Sequence, residues 1–300
     1  MVEVKNVSKK FGEIQAVHEA SLTIGSHSVF GLVGSNGAGK STLLRMMAGI
    51  LLPDDGEILV DEENVYENRR IKEQIFYIPD DAWFFPNANA LDMARYYKTM
   101  YPSFDRSRFS KLMKQFCLDE KRKIDTFSKG MKKQLLVILG ISAGTKYLLC
   151  DETFDGLDPV MRQAVKSVLA SEIMNREFSP VLASHNLREL EDICDHVGLL
   201  HEGGILLSKD LEDMKFHIHK IQCVLKDKKR EQQLLKGLSP LSVKHQGSLL
   251  MITARGTRKE ILTVTESADP LFCEILPLSL EEIFISETEV AGYEIKNFLF

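Results

Sequence analysis

The sequence predicts an α/β fold with a parallel core sheet, followed by a smaller α+β domain. Short apolar strands lie between segments with helical periodicity, and a glycine-rich loop follows the first of them. These strands are expected at residues 28–33, 74–78, 147–150 and 180–183. Apolar strands that alternate with helices are typical of a parallel sheet covered on both faces. The pattern changes near residue 215, so the expected domains are residues 1–215 and 216–300.

The N-terminal region predicts an antiparallel β subdomain. Residues 1–7 and 14–24 alternate as strands do, and residues 57–60 form a further strand after a turn. The core strand at 28–33 then leads through the glycine-rich loop into a helix expected over 41–51. The sequence therefore predicts that the N-terminal strands pair with one another, beside the start of the parallel sheet.

The middle of the chain predicts a helical subdomain over about residues 82–143. Met, Tyr, Phe and Leu are frequent from 90 to 118, and Pro102 divides this stretch because proline interrupts helical hydrogen bonding. A later helix, expected over 159–175, has Pro159 in its first turn, where the missing N–H is not needed. These helices are expected to cover the parallel sheet.

Residues 216–300 predict a small α+β domain. Its strands are expected at 219–225, 242–245, 249–254 and 272–276, and its helices at 229–235, 257–266 and 279–286. The order βαββαβ with a final helix is typical of a ferredoxin-like domain.

Composition and charge exclude several classes of protein. The 300 residues include 44% hydrophobic and 27% charged side chains, as in ordinary globular proteins. A net charge of −5 argues against general nucleic-acid binding, which needs a basic face. No apolar run approaches the roughly 18–20 residues of a membrane span, and the first residues lack a signal-peptide core. Five scattered cysteines without a C-x-x-C pair fit a reducing cytoplasm.

A phosphate-binding loop is predicted between the first core strand and the helix after it. Residues 34–41, GSNGAGKS, match the pattern G-x-x-x-x-G-K-[ST], and Thr42 follows them. Glycines let backbone N–H groups surround phosphates, and the positive end of the following helix points at them. Lys40 is expected on the β- and γ-phosphates, and the Ser41 hydroxyl is expected to bind Mg²⁺. The expected nucleotide contacts here are Gly34, Asn36, Gly37, Ala38, Gly39, Lys40, Ser41 and Thr42.

A pair of acids, Asp151 and Glu152, follows the apolar strand at 147–150. The carboxyl end of a buried strand is where open α/β sheets bind ligands. Asp151 is expected to hold Mg²⁺, and Glu152 is expected to polarise the attacking water. The pair therefore predicts nucleotide hydrolysis as well as phosphate binding.

The order of five motifs resembles that of the ATP-binding subunits of ABC transporters over about residues 2–211. The motifs are GSNGAGKST (34–42), FSKGMKKQL (127–135), YLLCDE (147–152), FDGLDP (154–159) and ASHN (183–186). The resemblance implies a P-loop ATPase core that uses ATP and Mg²⁺. It implies a head-to-tail dimer, identical or mixed, with two ATP molecules at the interface. Three tasks then stay open for the domain at 216–300: stabilising this dimer, regulating it, or capping the core by packing. It also implies catalytic roles for Lys40, Glu152 and His185, with His185 sensing the γ-phosphate.

Further site residues follow from the same resemblance. Ser128 and the Gly130 backbone would reach the ATP of the partner subunit. Asp158 would organise the dimer interface, and its alternative role is a helix cap. Phe11 would stack on adenine, with Val17 as a weaker base contact, and the alternative for Phe11 is a core position in the N-terminal sheet.

Three positions depart from the family pattern. Asp80 stands where the family usually has a glutamine that reaches the metal, so Asp80 joins Ser41 and Asp151 as an expected metal ligand. Lys129 stands at a usual glycine and Met131 at a usual glutamine. These departures resemble bacterial exporter ATPases that work with ABC-2-type permeases, including peptide and antimicrobial-resistance systems and the phenol-soluble modulin exporters.

The implied function is an ATPase subunit that powers export by a separate integral-membrane permease. It would be cytoplasmic, held on the membrane through that permease, and without a nucleic-acid partner. The aromatic segment 82–86, which includes Trp83, would either contact the permease or pack under the helical subdomain. The competing hypothesis is a soluble ABC-type ATPase without a permease. It is disfavoured by the single phosphate loop and by the lack of heptads between that loop and residue 128.

Overall fold

The structure is a computed structural model that describes residues 1–276 and 278–290. Its contacts divide the chain into two units, Met1–Ser208 and a second unit that begins at Lys209. This division lies a few residues before the expected boundary at 215. Of the expected second domain, residues 277 and 291–300 lie outside the described residues.

The first unit alternates strands and helices. Its strands are β1 (Val2–Phe11), β2 (Ile14–Ile24), β3 (Phe30–Val33), β4 (Asp55–Val60), β5 (Glu63–Asn64), β6 (Ile75–Ile78), β7 (Tyr147–Asp151), β8 (Ser179–Ser184), β9 (His196–His201) and β10 (Gly204–Asp210), the last of which crosses the division. Its helices are α1 (Lys40–Met47), α2 (Arg69–Lys72), α3 (Ala90–Met100), α4 (Arg106–Gln115), α5 (Lys129–Ser142), α6 (Pro159–Asn175) and α7 (Leu187–Leu190).

A six-stranded sheet in the order β10-β9-β3-β8-β7-β6 forms the centre of the first unit. The pairs from β9 to β6 are parallel, which confirms the predicted α/β class with a parallel core. Because parallel strands point the same way, the loops after β3, β6, β7 and β8 leave the sheet at one edge. The glycine-rich loop, Asp80, Glu152 and His185 lie in these loops. The topology therefore gathers motifs that are distant in sequence.

A second sheet, in the order β2-β1-β4-β5, is antiparallel. Its buried residues Val4, Val7 and Ile58 share one hydrophobic core with Leu44 of α1 and Leu149 of β7. Helix α1 contacts strands of both sheets. The predicted N-terminal antiparallel subdomain thus supports the helix that begins at the glycine-rich loop.

Residues 82–143 contain the helices α3, α4 and α5. Asn89, Asp105 and Ser128 cap these helices by accepting a hydrogen bond from a backbone N–H of the first turn. Helix α5 is buried from Lys133 to Ser142 and packs against α4 and β6. This packing joins the helical region to the edge of the parallel sheet.

Strands β9 and β10 and the end of helix α1 are among the differences from the sequence expectation. Strands β9 and β10 were absent from it, and β9 is a short apolar run whose period alone does not separate strand from helix. The tertiary structure decides in favour of a strand, because β9 pairs with β3. Helix α1 ends at Met47, before the expected end at residue 51. Gly49, just beyond the helix, has a positive φ of 66°, which lies outside the helical region.

The second unit has its own sheet and core. Its strands are β11 (Ile218–Val224), β12 (Ser242–Gln246), β13 (Leu249–Arg255) and β14 (Phe272–Leu276), and its helices are α8 (Leu211–His217), α9 (Lys228–Leu238), α10 (Arg258–Ser267) and α11 (Leu280–Val290). The sheet order is β12-β13-β11-β14, and its pairs are antiparallel. Ile221, Leu234, Ile252 and Ile261 form a core between the sheet and helices α9 and α10. The order βαββαβ from β11 to β14 is that of ferredoxin-like folds.

Across residues 1–276 and 278–290, no helix has both the length and the apolar character needed to cross a bilayer. Helix α6 has 17 residues and carries Arg162, Lys166 and Glu172.

We expect Leu149→Ala to lower the free energy of unfolding of the first unit by about 2–5 kcal/mol, because a buried side chain of β7 leaves a cavity. Urea denaturation followed by circular dichroism measures this loss. The control is Met174→Ala, at a site that is 86% exposed on α6. Its effect should stay within about 0.5 kcal/mol. Equal losses for the two variants would contradict the core position of Leu149.

Candidate functional site

The phosphate-binding loop follows β3 at the carboxyl edge of the parallel sheet. Residues 35–37 are exposed, whereas Gly34 and Ala38 are buried. Gly39 has a φ of 105°, and a Cβ atom there would collide with the carbonyl oxygen of Ala16 in β2. Glycine is therefore required both by the backbone conformation and by the close approach of the second sheet. The loop is fixed on one side while its outer amides stay open to a ligand.

Lys40 begins α1 and is only 5% exposed. Its ammonium donates to the carbonyl oxygens of Gly34 at 2.7 Å and Ser35 at 3.1 Å. The same nitrogen lies 3.2 Å from Oε1 of Glu152. A buried charge needs such partners because removing it from water is costly. These contacts hold a positive charge beside the loop, where an anionic ligand is expected.

Asp151 ends β7 and is almost fully buried. Its Oδ1 accepts a hydrogen bond from the Ser41 hydroxyl at 2.9 Å, and its Oδ2 accepts one from the Tyr77 hydroxyl at 3.0 Å. Burial raises the pKa of Asp151; these hydrogen bonds partly oppose the rise, and the charge of Glu152 adds to it. Burial also raises the pKa of Tyr77 to about 12, so this phenol is a protonated donor at neutral pH.

Glu152 adopts a left-handed backbone conformation, with a φ of 46°. Such a conformation costs about 1–3 kcal/mol for a residue with a side chain. Oε2 of Glu152 lies 3.0 Å from Nδ1 of His185, while Oε1 faces Lys40. Because a carboxylate only accepts hydrogen bonds, the proton of this contact is assigned to Nδ1 of His185. The turn therefore directs the carboxylate between an ammonium group and an imidazole ring.

Two groups of side chains offer ligand atoms for a cation. Ser41 and Asp151 supply a hydroxyl and a carboxylate next to the loop, and Mg²⁺ prefers such hard oxygen ligands. In the other group, one ligand atom each of Glu152, Asp155 and His185 lies within 4.8 Å of the others. An imidazole suits transition metals better than Mg²⁺. The oxygen atoms of the first pair therefore fit Mg²⁺, and the metal role of Ser41 and Asp151 stays a prediction.

Asp80 follows β6 and contacts a lysine of α5. Its Oδ1 lies 3.0 Å from Nζ of Lys133, which also donates to the backbone carbonyl of Glu152. The structure thus brings Ser41 and Asp151 together and directs Asp80 to an ammonium group. The Lys133 ammonium competes with a metal cation for the Asp80 carboxylate. A metal role for Asp80 stays a prediction.

The residues expected to act across a dimer lie at two helix N-termini. Ser128 and Gly130 lie at the start of α5, and Asp158 precedes α6. The Ser128 hydroxyl accepts from the N–H of Met131 at 3.2 Å, and Asp158 accepts from the N–H of Met161 at 2.9 Å. The helix-cap alternative for Asp158 is therefore present, and its dimer role stays a prediction. The exposed start of α5 presents the positive end of a helix to an anion.

The two residues expected to contact the base have opposite exposures. Phe11 ends β1 and is 47% exposed, so it is not a core residue and its ring is available for stacking. Lys9 lies near it, with Nζ 5.9 Å from the ring centroid. Val17 is 0% exposed and belongs to the core shared by the two sheets. The expected base contact by Val17 is corrected accordingly, because its side chain has no surface to offer.

Three more residues belong to this site although the sequence motifs assigned them no role in it. Tyr77 donates to the Asp151 carboxylate, Asp155 adjoins Glu152, and Lys133 bonds to the loop after β6. Asp155 lies within the motif FDGLDP. The sequence does contain a signal for Lys133, because it is a lysine at the start of an apolar helical run. A lysine buried there requires a partner for its charge. Tyr77 had no comparable signal.

Comparisons with known proteins show the family to which this chain belongs. The family model described as ABC transporter matches residues 17–155. The ABC transporter ATP-binding protein YtrB of Bacillus subtilis is 30% identical over 291 residues, which cover 96% of this chain and 98% of that protein. The bacitracin transport ATP-binding protein BcrA of Bacillus licheniformis is 24% identical over 294 residues, which cover 95% of this chain and 96% of that protein.

A solved structure shares the fold of the first unit. It is a dimeric post-hydrolysis state of an ATP-binding cassette bound to ADP and Pi, with a TM-score of 0.64 and 20% identity. It covers 70% of this chain, and the match extends over 99% of that chain. The similarity to YtrB extends along nearly the whole of both chains. The protein therefore belongs to the ATP-binding proteins of ABC transporters and is an ATP hydrolase.

Proposed function

We propose that this chain powers export by a separate integral-membrane permease, through hydrolysis of MgATP at the interfaces of a head-to-tail dimer. The observation that carries the proposal is the convergence of three side chains at the sheet edge. Glu152 lies 3.2 Å from Lys40 and 3.0 Å from His185. Phosphoryl transfer depends on positioning and on stabilising charge, and an ammonium, a carboxylate and an imidazole around one point supply both.

Each of these side chains has a distinct task in the proposed reaction. Lys40 exchanges the loop carbonyls and Glu152 for oxygens of the β- and γ-phosphates. This exchange frees Glu152 to accept a proton from the attacking water. His185 contacts the γ-phosphate and registers its loss. Ser41 and Asp151 hold Mg²⁺, which neutralises phosphate charge when it is bound.

The remaining contacts complete the nucleotide site. The amides of the loop at 34–42 surround the phosphates, and the exposed ring of Phe11 stacks on adenine. The second subunit adds Ser128 and the Gly130 backbone at the start of α5, where the helix favours an anion. Asp158 lies at the interface between the subunits. Each ATP is thus enclosed by residues of two chains.

We expect Glu152→Gln to bind ATP and accumulate as a closed dimer while losing turnover, because the amide keeps the shape but accepts no proton. ATPase assays at saturating ATP should show a loss of about 100-fold or more, and size-exclusion chromatography with ATP should show the dimer. The control is Glu177→Gln, at an exposed position of the first unit, which should retain its rate. Full hydrolysis by Glu152→Gln would remove the general-base assignment.

A mixing experiment tests the head-to-tail dimer. Lys40→Ala removes the phosphate-binding ammonium, Ser128→Arg blocks the start of α5, and each variant alone should be inactive. In a dimer with one copy of each, one of the two sites contains an intact Lys40 and an intact Ser128. Equal mixing should recover about a quarter of the wild-type ATPase rate, since half of the dimers are mixed and have one working site each. No recovery would contradict pairing of identical copies and favour a related ATPase as the partner.

The proposed permease contact is a row of aromatic rings after the loop at Asp80. Trp83 packs against Phe85 with 5.0 Å between ring centroids, and Phe85 packs against Tyr96 at 4.9 Å. Trp83 is nevertheless 65% exposed. The alternative, packing under the helical subdomain, would bury this ring. Exposed aromatic side chains on a polar surface are typical anchors of protein interfaces.

A groove next to helix α3 supports the placement of the permease contact on this surface. It has a volume of about 470 Å³ and is lined by Glu67, Arg69, Lys72, Glu73, Thr99, Met100 and Tyr101. The last three residues are the end of α3 and the residue after it, and the four charged residues come from α2 and the segments beside it. Charged side chains next to Met100 and Tyr101 suit a short amphipathic helix of a membrane partner.

We expect Trp83→Ala to reduce recovery of the permease with this chain from detergent-solubilised membranes by about tenfold or more, as for an interface anchor. Phe84→Ala, at the next position, should weaken the contact in the same direction. The matched control is Phe216→Ala, an exposed phenylalanine of the second unit. Unchanged recovery with both Trp83→Ala and Phe84→Ala would count against this surface as the permease contact.

The proposed cargo is a peptide or an antimicrobial compound. One support is the similarity along nearly the whole chain to BcrA, whose name describes bacitracin transport. Another is the presence of Asp80 and Lys129 at positions where the family usually has glutamine and glycine. In this proposal the chain lies on the cytoplasmic face of the membrane and is held there by the permease.

A further inference from the structure

One buried ammonium group joins three parts of the first unit. Lys133 lies on α5, and its Nζ is 3.0 Å from Oδ1 of Asp80 in the loop after β6. The same Nζ donates to the backbone carbonyl oxygen of Glu152, in the loop after β7. Its side chain is 1% exposed. Helix α5, which is capped by Ser128, is thereby tied to the backbone of the proposed general base.

The backbone of Glu152 depends on contacts of this kind. Its φ of 46° is unusual for a residue with a side chain, so surrounding groups must hold it. The N–H of Glu152 donates to the carbonyl of Ala183 at 3.1 Å, and its carbonyl accepts from the N–H of Asp155 at 3.2 Å. Lys133 supplies the remaining contact and is the one side chain among these three partners. Its position therefore affects the direction of the Glu152 carboxylate.

The two side chains of the Asp80–Lys133 pair differ in their exposure to solvent. The Lys133 side chain is buried, whereas the Asp80 side chain is 53% exposed. A buried ammonium depends on its partners, whereas an exposed carboxylate can exchange them with water. Movement of the loop at Asp80 would remove the counter-charge of Lys133 and alter its hold on Glu152. The pair can therefore transmit the state of the loop to the turn that carries the general base.

We infer that Lys133 is a positioning residue that sets the direction of the Glu152 carboxylate and makes it depend on the loop at Asp80. This inference rests on the proposed function, in which Glu152 accepts the proton of the attacking water. Lys133 acts through the backbone of Glu152 and not on the nucleotide. The loop at Asp80 leads directly into the aromatic residues of the proposed permease contact, so the link runs from that surface to the hydrolysis site.

The variant Lys133→Met tests the inference in the full-length protein. Methionine has a similar volume but no donor, and the Asp155 N–H still satisfies the Glu152 carbonyl, so the fold should persist, as checked by thermal unfolding. We expect kcat to fall by about 10- to 100-fold, as for a misplaced catalytic group. The Kd for ATP should change by less than about twofold, because the phosphate loop is untouched. Lys133→Arg, which keeps a charged donor, should recover part of kcat.

The control Lys114→Met changes an exposed lysine of α4 and should behave as wild type. A double variant, Asp80→Asn with Lys133→Met, separates positioning from simple neutralisation of charge. If Lys133 positions Glu152, the double variant stays as slow as Lys133→Met. Recovery of kcat in the double variant would show neutralisation and overturn the inference.

The outcomes also separate this inference from the proposed function. If Glu152→Gln is inactive while Lys133→Met keeps its full kcat, the inference about Lys133 is wrong and the general-base assignment stands. If Glu152→Gln retains full turnover, the proposed general base is wrong. A loss of ATP affinity equal to the loss of kcat in Lys133→Met would indicate a general disturbance of the site and overturn the positioning role.

Discussion

The burial of the Lys40 ammonium is the constraint on which the rest of the site depends. A charge removed from water requires several polar partners at once, and the loop carbonyls and Glu152 provide them. These partners come from the loops after two different strands. The parallel sheet must therefore hold β3 and β7 with their carboxyl ends at one edge. The second sheet adds a further limit, because the carbonyl of Ala16 leaves no room for a side chain at Gly39.

Glu152 lies between two buried lysines that act on different parts of it. Lys40 pairs with the side-chain carboxylate, and Lys133 bonds to the backbone carbonyl. This arrangement gives a physical account of the acid at position 80. A carboxylate near Asp151 and Glu152 would add repulsion, but the buried Lys133 compensates its charge. The departure from the usual glutamine is thus accompanied by a cation within hydrogen-bonding distance.

The second unit has a hydrophobic core of its own. Its antiparallel sheet and helices α9 and α10 enclose their own core, with Ile221 and Ile252 fully buried. The described members of the nucleotide site all come from the first unit. Stabilising a dimer, regulating it and capping the core therefore remain alternative tasks for the second unit. Its ferredoxin-like element order follows from strand and helix periodicity alone.

The sequence by itself determined the fold class and predicted most residues of the candidate site, because both depend on local patterns. Apolar runs predicted the core strands, and the glycines and Lys40 specified the phosphate loop, whose conformation is set by neighbouring residues. Only the tertiary structure decided which side chains face each other. Whether Val17 was buried, which side chain approached Asp80, and whether residues 196–201 formed a strand all depended on distant segments. Pairing between distant segments is decided by burial and charge in three dimensions, which local periodicity does not record.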